Sequence, residues 1–501
     1  MARLKSVLLI SFYNQKALGV KFLRKALRTA GVEVTVVFFK GFNSRKPEKC
    51  TEKELELLRL KIAEANPDII GLSVMSSLYL ETVTAVNEMI HCNFRKIIVW
   101  GGVYSTLHPK ECLDHCDYVM IGESEAAFPD FVKAMSDYGN CDGMANLAYK
   151  NESGDVVIND VRPLCHDLDE IEFPDISNDG VCCIRDDSII EGDPSIDSAS
   201  FEMSASRGCP FTCSYCSSVR LLRMYSDKGR YLRFRSVENV IDELKQAKSK
   251  MPHLKFIHFW DEIFSSDETW AGEFAKEYKK HINLPFEIWS HPLMVKEPVI
   301  RMLMTAGLYK VVMGIQSGSP HVRKDIFKRN ETQEQILKSC EILRKCRVPH
   351  VIYDFMLQHP FETVGDLKET YDLCMSMNLP FELQLHGLYF LPSTDIVDMA
   401  LEKHIIDRDA LNKIMYCSIE EHYGKYWGST ETDPESDYWF SLINLSQFRL
   451  TRNFAARLGT GDVTVKKMIS VKRMNKITGP LAKIRYVYKK GILVIKSLLS
   501  G

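Results

Sequence analysis

Arg207-Gly208-Cys209-Pro210-Phe211-Thr212-Cys213-Ser214-Tyr215-Cys216 follows an apolar run at residues 201–206 and spaces three cysteines as C-x3-C-x2-C. A compact loop with this spacing can aim three thiolates at one point, and soft thiolates select zinc or iron–sulfur clusters. A structural zinc site wants a fourth ligand at its own regular spacing, and none is nearby. Three protein ligands on a four-iron cluster leave one iron open, the arrangement needed to bind and activate a substrate. Fifteen cysteines in 501 residues are too sparse for a disulfide scaffold and enough for such a site.

Outward from that loop, strand candidates at residues 201–206, 256–260, 286–290, 311–316, 351–357 and 381–390 alternate with helical patterns, clearest at 236–250 and 333–346. Six such units predict a (β/α)6 partial TIM barrel over residues 196–425, with the chemistry in the loops at one mouth. Upstream, candidates at 7–11, 32–39, 69–74, 96–100 and 118–121 are separated by helical stretches at 19–30, closed by Gly31, and 51–65, closed by Asn66-Pro67. Their Val, Ile and Leu runs do not alternate with polar residues, as befits strands buried on both faces. An α/β, flavodoxin-like (Rossmann-type) domain is therefore expected over residues 1–140, with its ligand at the carboxyl ends of the strands. Residues 141–195 read as a linker and 426–501 as a basic, amphipathic, mainly helical region.

A composition of 45% apolar and 26% charged residues excludes a disordered, collagen-like or coiled-coil chain. The 64 basic and 66 acidic residues nearly cancel, and no nucleic-acid partner is expected. The apolar run at residues 7–10 is too short for a signal-peptide core, and nowhere do 18 apolar residues run uninterrupted. A soluble, cytoplasmic protein with reduced thiols is expected. The even charge hides an asymmetry: from Arg449 onward thirteen Lys or Arg face the single Asp462. Residues 463–496 contain no acid and interleave Val465, Met468, Ile469, Ile477, Leu481, Ile484 and Val487 with cations. Such a segment can lie on an anionic membrane surface, peripheral at the inner face, or remain a solvated or partner-docked tail.

The three-cysteine loop after the first barrel strand resembles the signature of the radical S-adenosylmethionine (SAM) superfamily. The resemblance implies that Cys209, Cys213 and Cys216 hold a 4Fe–4S cluster whose fourth iron chelates the amino and carboxylate groups of SAM, with Tyr215 packed on cluster and adenine. One electron, from an external donor such as flavodoxin or ferredoxin, then cleaves SAM to a 5′-deoxyadenosyl radical that abstracts hydrogen. Phe259-Trp260-Asp261-Glu262-Ile263-Phe264 resembles the family's acidic segment, in which Asp261 or Glu262 binds the SAM amino group; either residue can instead cap backbone N–H groups. Met313-Gly314-Ile315-Gln316-Ser317-Gly318-Ser319 resembles the ribose-binding segment, with Gln316 where glutamate is usual and Ser317 beside it. Gln358, in a proline-containing loop that lacks the family's glycines, and Leu391, at the end of the sixth strand, complete the implied SAM site.

Trp100-Gly101-Gly102-Val103-Tyr104-Ser105-Thr106 and Asp117-Tyr118-Val119-Met120-Ile121-Gly122-Glu123 resemble the cobalamin-binding domain fused to many radical SAM enzymes. Gly101 and Gly102 allow close backbone approach to a bulky ligand. The implied cobalamin contacts are Phe12, Tyr13, Asn14, Ser73, Ser76, Gly101, Gly102, Tyr104, Thr106, Gly122 and Glu123. The Asp-x-His-x-x-Gly signature that supplies a cobalt ligand in related domains is absent, and Asn14-Gln15-Lys16-Ala17-Leu18-Gly19 offers no histidine in its place. Together these resemblances imply methylation of an unactivated carbon in a small-molecule or lipid-like substrate. Cyclisation, rearrangement or C–C coupling without methyl transfer is the second reading, and a non-catalytic corrinoid or iron–sulfur carrier the third. Cys182 and Cys183 can face the active site or ligate an auxiliary cluster, whereas Cys340, Cys346 and Cys374 read as core residues. His291 and His386 point by position to the barrel mouth, as general bases or as satisfied core histidines.

Overall fold

Val7, Leu8, Leu9 and Ile10 are all buried because β1 (Ser6–Phe12) is covered on both faces: Leu8 and Ile10 enter one core, Val7 and Leu9 another. The computed structural model describes residues 6–42, 47–427 and 433–499; the first five residues, read above for a leader, and the last two of the basic segment lie outside them. Next to β1 run β2 (Glu33–Phe39), β3 (Ile69–Ser73), β4 (Ile97–Gly101) and β5 (Tyr118–Met120), all parallel, in the order β2-β1-β3-β4-β5. That is the doubly wound, flavodoxin-like order, and its reversal between β1 and β3 opens a crevice at the carboxyl ends. Helix Glu52–Ala65 starts on a capping box between Thr51 and Glu54 and ends on Asn66 in the left-handed region, so local sequence fixes both of its ends.

Residues 141–195, read as a linker, instead widen this sheet to nine strands. β6 (Leu147–Lys150) and β7 (Val156–Ile158) add an antiparallel hairpin to β5. β8 (Val181–Arg185) lies parallel to β2, and β9 (Ser188–Glu191) turns back along it. β7 and β9 are largely exposed edge strands, and their apolar runs are only three and two residues long. A buried ion pair ties the segment down, Lys21 Nζ donating to Asp193 Oδ2 at 2.8 Å and to Ser195 Oγ at 2.5 Å. Cys182 and Cys183 are neighbours on β8 and enter different cores, so they cannot ligate one cluster; burial pushes their thiols up to about 12 and about 11.

The second domain begins with β10 (Ser200–Met203), β11 (Ser206–Arg207) and β12 (Arg233–Phe234), the last two forming a short antiparallel hairpin. β13 (Phe256–Phe259), β14 (Phe286–Ser290), β15 (Leu308–Gln316), β16 (His350–Met356) and β17 (Glu382–His386) follow, and the parallel order β10-β13-β14-β15-β16-β17 makes the expected six-stranded partial barrel. Phe201, Ile257, Phe286, Val311, Val351 and Leu383 pack outward against the helices. The alternate positions, turned away from that core, carry charge: Glu287 bonds His258 at 2.7 Å and Lys310 at 2.8 Å, and Glu382 bonds His350 at 2.8 Å.

The C-terminal helices belong to this core. Pro434–Ser446, Arg449–Leu458 and Val465–Asn475 contribute Leu442, Ile443, Ala455 and Val471 to it. The last helix, Thr478–Leu499, crosses the amino-terminal ends of the strands, where Tyr309 Oη donates to the Lys489 carbonyl at 2.9 Å and Lys489 Nζ reaches Glu382 at 2.9 Å. Among the described residues no helix is long and apolar enough to cross a membrane.

Burial works to raise Glu287 and Glu382, but hydrogen bonds from His258 and His350 and the charges of Lys310, Lys489 and Arg485 hold both carboxyls at about 2. A carboxyl depressed by folding stabilises above its unfolded pKa and loses that contribution as pH falls towards its folded value. The melting temperature is therefore expected to drop between about pH 4.5 and pH 2, each group contributing at most ~3 kcal/mol. Glu382→Gln should lower stability at neutral pH and flatten that acid limb in calorimetric scans; an unchanged limb would contradict the assignment.

Candidate active site

The three cysteines leave the β11–β12 hairpin through Gly208. Its φ of +90° and a would-be Cβ only 2.4 Å from the Tyr231 carbonyl oxygen leave room for glycine alone. Farther along, Ser214 pins the loop to the end of β15's crossover, donating N–H to Phe327 O at 3.1 Å and Oγ–H to Ile326 O at 2.6 Å; its own carbonyl accepts from Ile396 N at 2.9 Å. Cys213 is buried, whereas Cys209 and Cys216 are partly open. Burial raises the Cys209 thiol to about 12 and that of Cys216 to about 11, so metal uptake must displace protons. Among the described residues no three His, Cys, Asp or Glu side chains converge tightly enough for a single ion. Three thiols within one eight-residue loop are a soft donor set of the kind that ligates an iron–sulfur cluster.

Arg329 stands beside the trio, and sequence reasoning did not single it out. Its Nη1 lies 3.8 Å from Cys213 Sγ and donates to Tyr215 Oη at 3.1 Å; Nη2 donates to the Gly314 carbonyl at 2.7 Å, and Nε to Glu331 Oε1 at 2.6 Å. A buried cation next to a thiolate offsets the charge that the cysteines acquire on ligation. Burial works to raise Glu331, but His291 and Arg329 hold it at about 2. His291 stacks on Phe211 of the loop at 3.8 Å between centroids and lies 3.4 Å from Glu331 Oε2. Burial lowers the His291 pKa, which makes it a neutral packing partner of the loop.

The SAM-site candidates gather at the same mouth but differ in what they have free. Asp261 is committed to the backbone, accepting from Ala205 N at 3.1 Å and from the Ser206 hydroxyl, and burial raises its carboxyl to about 6. Glu262 instead lines a cavity, where it accepts from Ser218 Oγ at 2.8 Å and burial raises its pKa. Gln316, at a φ of +71° on a β-bulge, donates to Asp354 Oδ2 at 3.2 Å while its buried Oε1 has no partner among the described residues. Asp354 also receives His386 Nε2 at 3.1 Å, and this bond and charge raise His386 against the effect of burial. Ser317 is fully buried, its hydroxyl accepting from Ser319 N at 3.1 Å. Gln358 Nε2 donates to Asp437 at 3.0 Å, and the Leu391 carbonyl accepts from Thr394 Oγ1 at 2.7 Å.

Two cavities lie between the domains. One, of about 490 Å³, extends from the ends of β3 and β4 along the sheet over Gly71, beneath Leu18 and Phe22. The other, of about 340 Å³, reaches Gly208, Tyr231 and Glu262. Gly102, Val103, Gly122 and Glu123 from the first domain, and Ser204, Ser206 and Arg207 from the second, line both. Of the cobalamin candidates, Ser73, Gly101, Gly102, Thr106, Gly122 and Glu123 therefore face these spaces. Phe12, Tyr13, Asn14, Ser76 and Tyr104 line neither. Phe12 packs on Phe39 in the core, and Tyr13 bonds Thr82 at 2.6 Å and stacks on Tyr79. Asn14 accepts from Lys16 N, Ser76 caps Leu78 N, and Tyr104 stacks on His108. The larger cavity is mostly apolar and bounded by glycines, and among the described residues no histidine lines it.

The junction is ionic. Glu123 pairs with Arg233 and lies 3.6 Å from Arg207, Glu125 bonds Arg207 at 2.6 Å, and Glu123 N donates to Tyr225 Oη at 2.9 Å. Arg207 and Arg233 are the paired residues of the β11–β12 hairpin, so the first domain grips the element that launches the cysteine loop.

Residues 203–374 match the model of the Radical SAM superfamily, and residues 6–132 that of the B12 binding domain. An uncharacterized methyltransferase of Pyrococcus horikoshii is 26% identical over 324 residues, 64% of this chain and 66% of the relative. The anaerobic magnesium-protoporphyrin IX monomethyl ester cyclase of Rubrivivax gelatinosus is 25% identical over 333 residues, 64% of this chain and 56% of the relative. The chain thus spans less than two thirds of either. The radical SAM methyltransferase TsrM of Kitasatospora setae, solved with cobalamin and a [4Fe-4S] cluster, superposes with a TM-score of 0.64 at 15% identity over 95% of this chain and 100% of that one, a likeness of fold.

Arg329→Leu should lower the midpoint potential of a reconstituted cluster by tens of millivolts and Arg329→Lys by less, read by spectroelectrochemical titration. Equal potentials in all three proteins would remove Arg329 from the site. Gly208→Ala should retain the far-ultraviolet circular dichroism spectrum and lose most iron uptake.

Proposed function

We propose, for a radical SAM superfamily chain that carries a B12-binding domain ahead of its barrel, that it cleaves SAM reductively and transfers a methyl group to an unactivated carbon of a small molecule. The observation that carries this reading is the shared lining of the two cavities, which brings the glycine-edged strand ends of one domain against the exit of the cysteine loop of the other. Bound at these places, a 4Fe–4S cluster supplies one electron to SAM, and cobalamin supplies a cobalt centre able to accept and pass on a methyl group.

The chain's own residues divide the remaining work. Cys209, Cys213 and Cys216 hold three irons, and Arg329 offsets the charge of Cys213. Glu262 is the acidic residue positioned to receive an ammonium group, because both oxygens of Asp261 are engaged in holding the end of β10. Gln316 offers its unpartnered amide oxygen to a hydroxyl donor. Gly102, at a φ of +107° and with Val74 O only 2.6 Å from a would-be Cβ, lets the exit of β4 pass against the end of β3 beside the cavity. Tyr225 and the Glu123–Arg233 pair tie the two domains together beside the cavities. The electron comes from an external donor of flavodoxin or ferredoxin type. The cyclase relative keeps ring closure without methyl transfer as the second reading.

Anaerobic protein loaded with iron, sulfide and hydroxocobalamin, given methyl-labelled SAM, titanium(III) citrate and small-molecule extracts, tests this. Release of 5′-deoxyadenosine together with label in a product is expected, and Cys213→Ala should show neither. 5′-Deoxyadenosine with an unlabelled product would favour the cyclase-type reaction, and release of no nucleoside would overturn the enzymatic reading.

A further inference from the structure

The last helix is amphipathic in the opposite sense to a helix packed on its own protein. Two of its cations turn inward: Arg485 Nη2 lies 3.4 Å from Glu382 and its guanidinium 4.6 Å from the Phe448 ring centroid, while Lys489 bonds Glu382 at 2.9 Å. Three of its large side chains turn outward, Ile484, Val487 and Tyr488 being 67%, 68% and 69% exposed. The spacing i, i+3, i+4 puts these three on one face. On the neighbouring helix, Val465 and Ile469, one turn apart, are 71% and 48% exposed. Lys466, Lys472, Arg473, Lys476 and Lys483, on and between these two helices, stand exposed, and no acidic residue follows Asp462.

We infer that these two helices dock on an anionic phospholipid surface. Covering the apolar side chains and bringing the cations near an anionic surface both favour attachment. A lipid interface offers an apolar layer and negative charge in one plane, and tyrosines such as Tyr486 and Tyr488 suit its boundary. A protein partner would need the same two features side by side, and a second copy of this basic face would meet it with like charge. The helix lies in the interface and does not span it, in keeping with the absence of a membrane-crossing helix among the described residues. The docked face is at the amino-terminal ends of the barrel strands, so the cysteine loop at the opposite ends keeps its access to solution. Docking therefore stands independently of the proposed reaction.

Full-length protein is sedimented with phosphatidylcholine vesicles or with vesicles that also contain phosphatidylglycerol. Wild type should pellet with the anionic vesicles at least about tenfold more strongly, and added salt should weaken the binding. Ile484→Ser/Val487→Ser/Tyr488→Ser should reduce binding about tenfold while leaving the melting temperature and 5′-deoxyadenosine release unchanged. Lys466→Gln/Lys472→Gln/Lys476→Gln/Lys483→Gln should remove the preference for anionic lipid. Wild type left in the supernatant with both vesicles, an apolar triple variant that binds as wild type, or a solution dimer dissolved by that variant would each overturn the inference.

Discussion

Two arginines on a four-residue hairpin hold the molecule's functional geometry. Arg207 and Arg233 face each other across β11 and β12, and both reach Glu123 at the exit of β5 in the other domain. Arg233 is 5% exposed, so loss of Glu123 would leave a buried guanidinium without its carboxylate partner. Gly122 belongs to the same junction: a Cβ there would fall 1.9 Å from Tyr225 Oη, so the strand end can approach the barrel only as glycine. The cysteine loop begins one residue after Arg207, which makes its placement a property of both domains.

The barrel is polarised along its axis. At the carboxyl ends of its strands the loops carry thiols, Arg329, Glu262 and the Gln316–Asp354–His386 chain. At the amino-terminal ends, ion pairs around Glu287 and Glu382 and the crossing of the last helix close the other side. Chemistry at one end and attachment at the other do not compete for the same residues.

The central strands were legible because burial on both faces writes itself as unbroken Val, Ile and Leu, and the cysteine trio because its spacing is local. The edge strands were not. Val156, Val157 and Ile158 are a run of only three in a largely exposed hairpin, and residues 188–191 are mostly exposed, so neither stands out from a polar connection. Arg329 was invisible for a different reason: its partner Cys213 is 116 residues away, and only the β15 crossover brings them together. Asp261 and Glu262 are adjacent and chemically alike; what separates them is which one the end of β10 claims. Phe12 and Tyr13 lie at a strand end, where a ligand was expected, yet core packing takes both side chains.

Electron paramagnetic resonance of the reduced, iron-loaded protein, with and without SAM, tests the central claim most directly. A cubane held by Cys209, Cys213 and Cys216 with one iron open predicts a signal that changes when SAM binds and is lost when the three cysteines are alanine. A signal indifferent to SAM, or one that survives that substitution, would contradict the account.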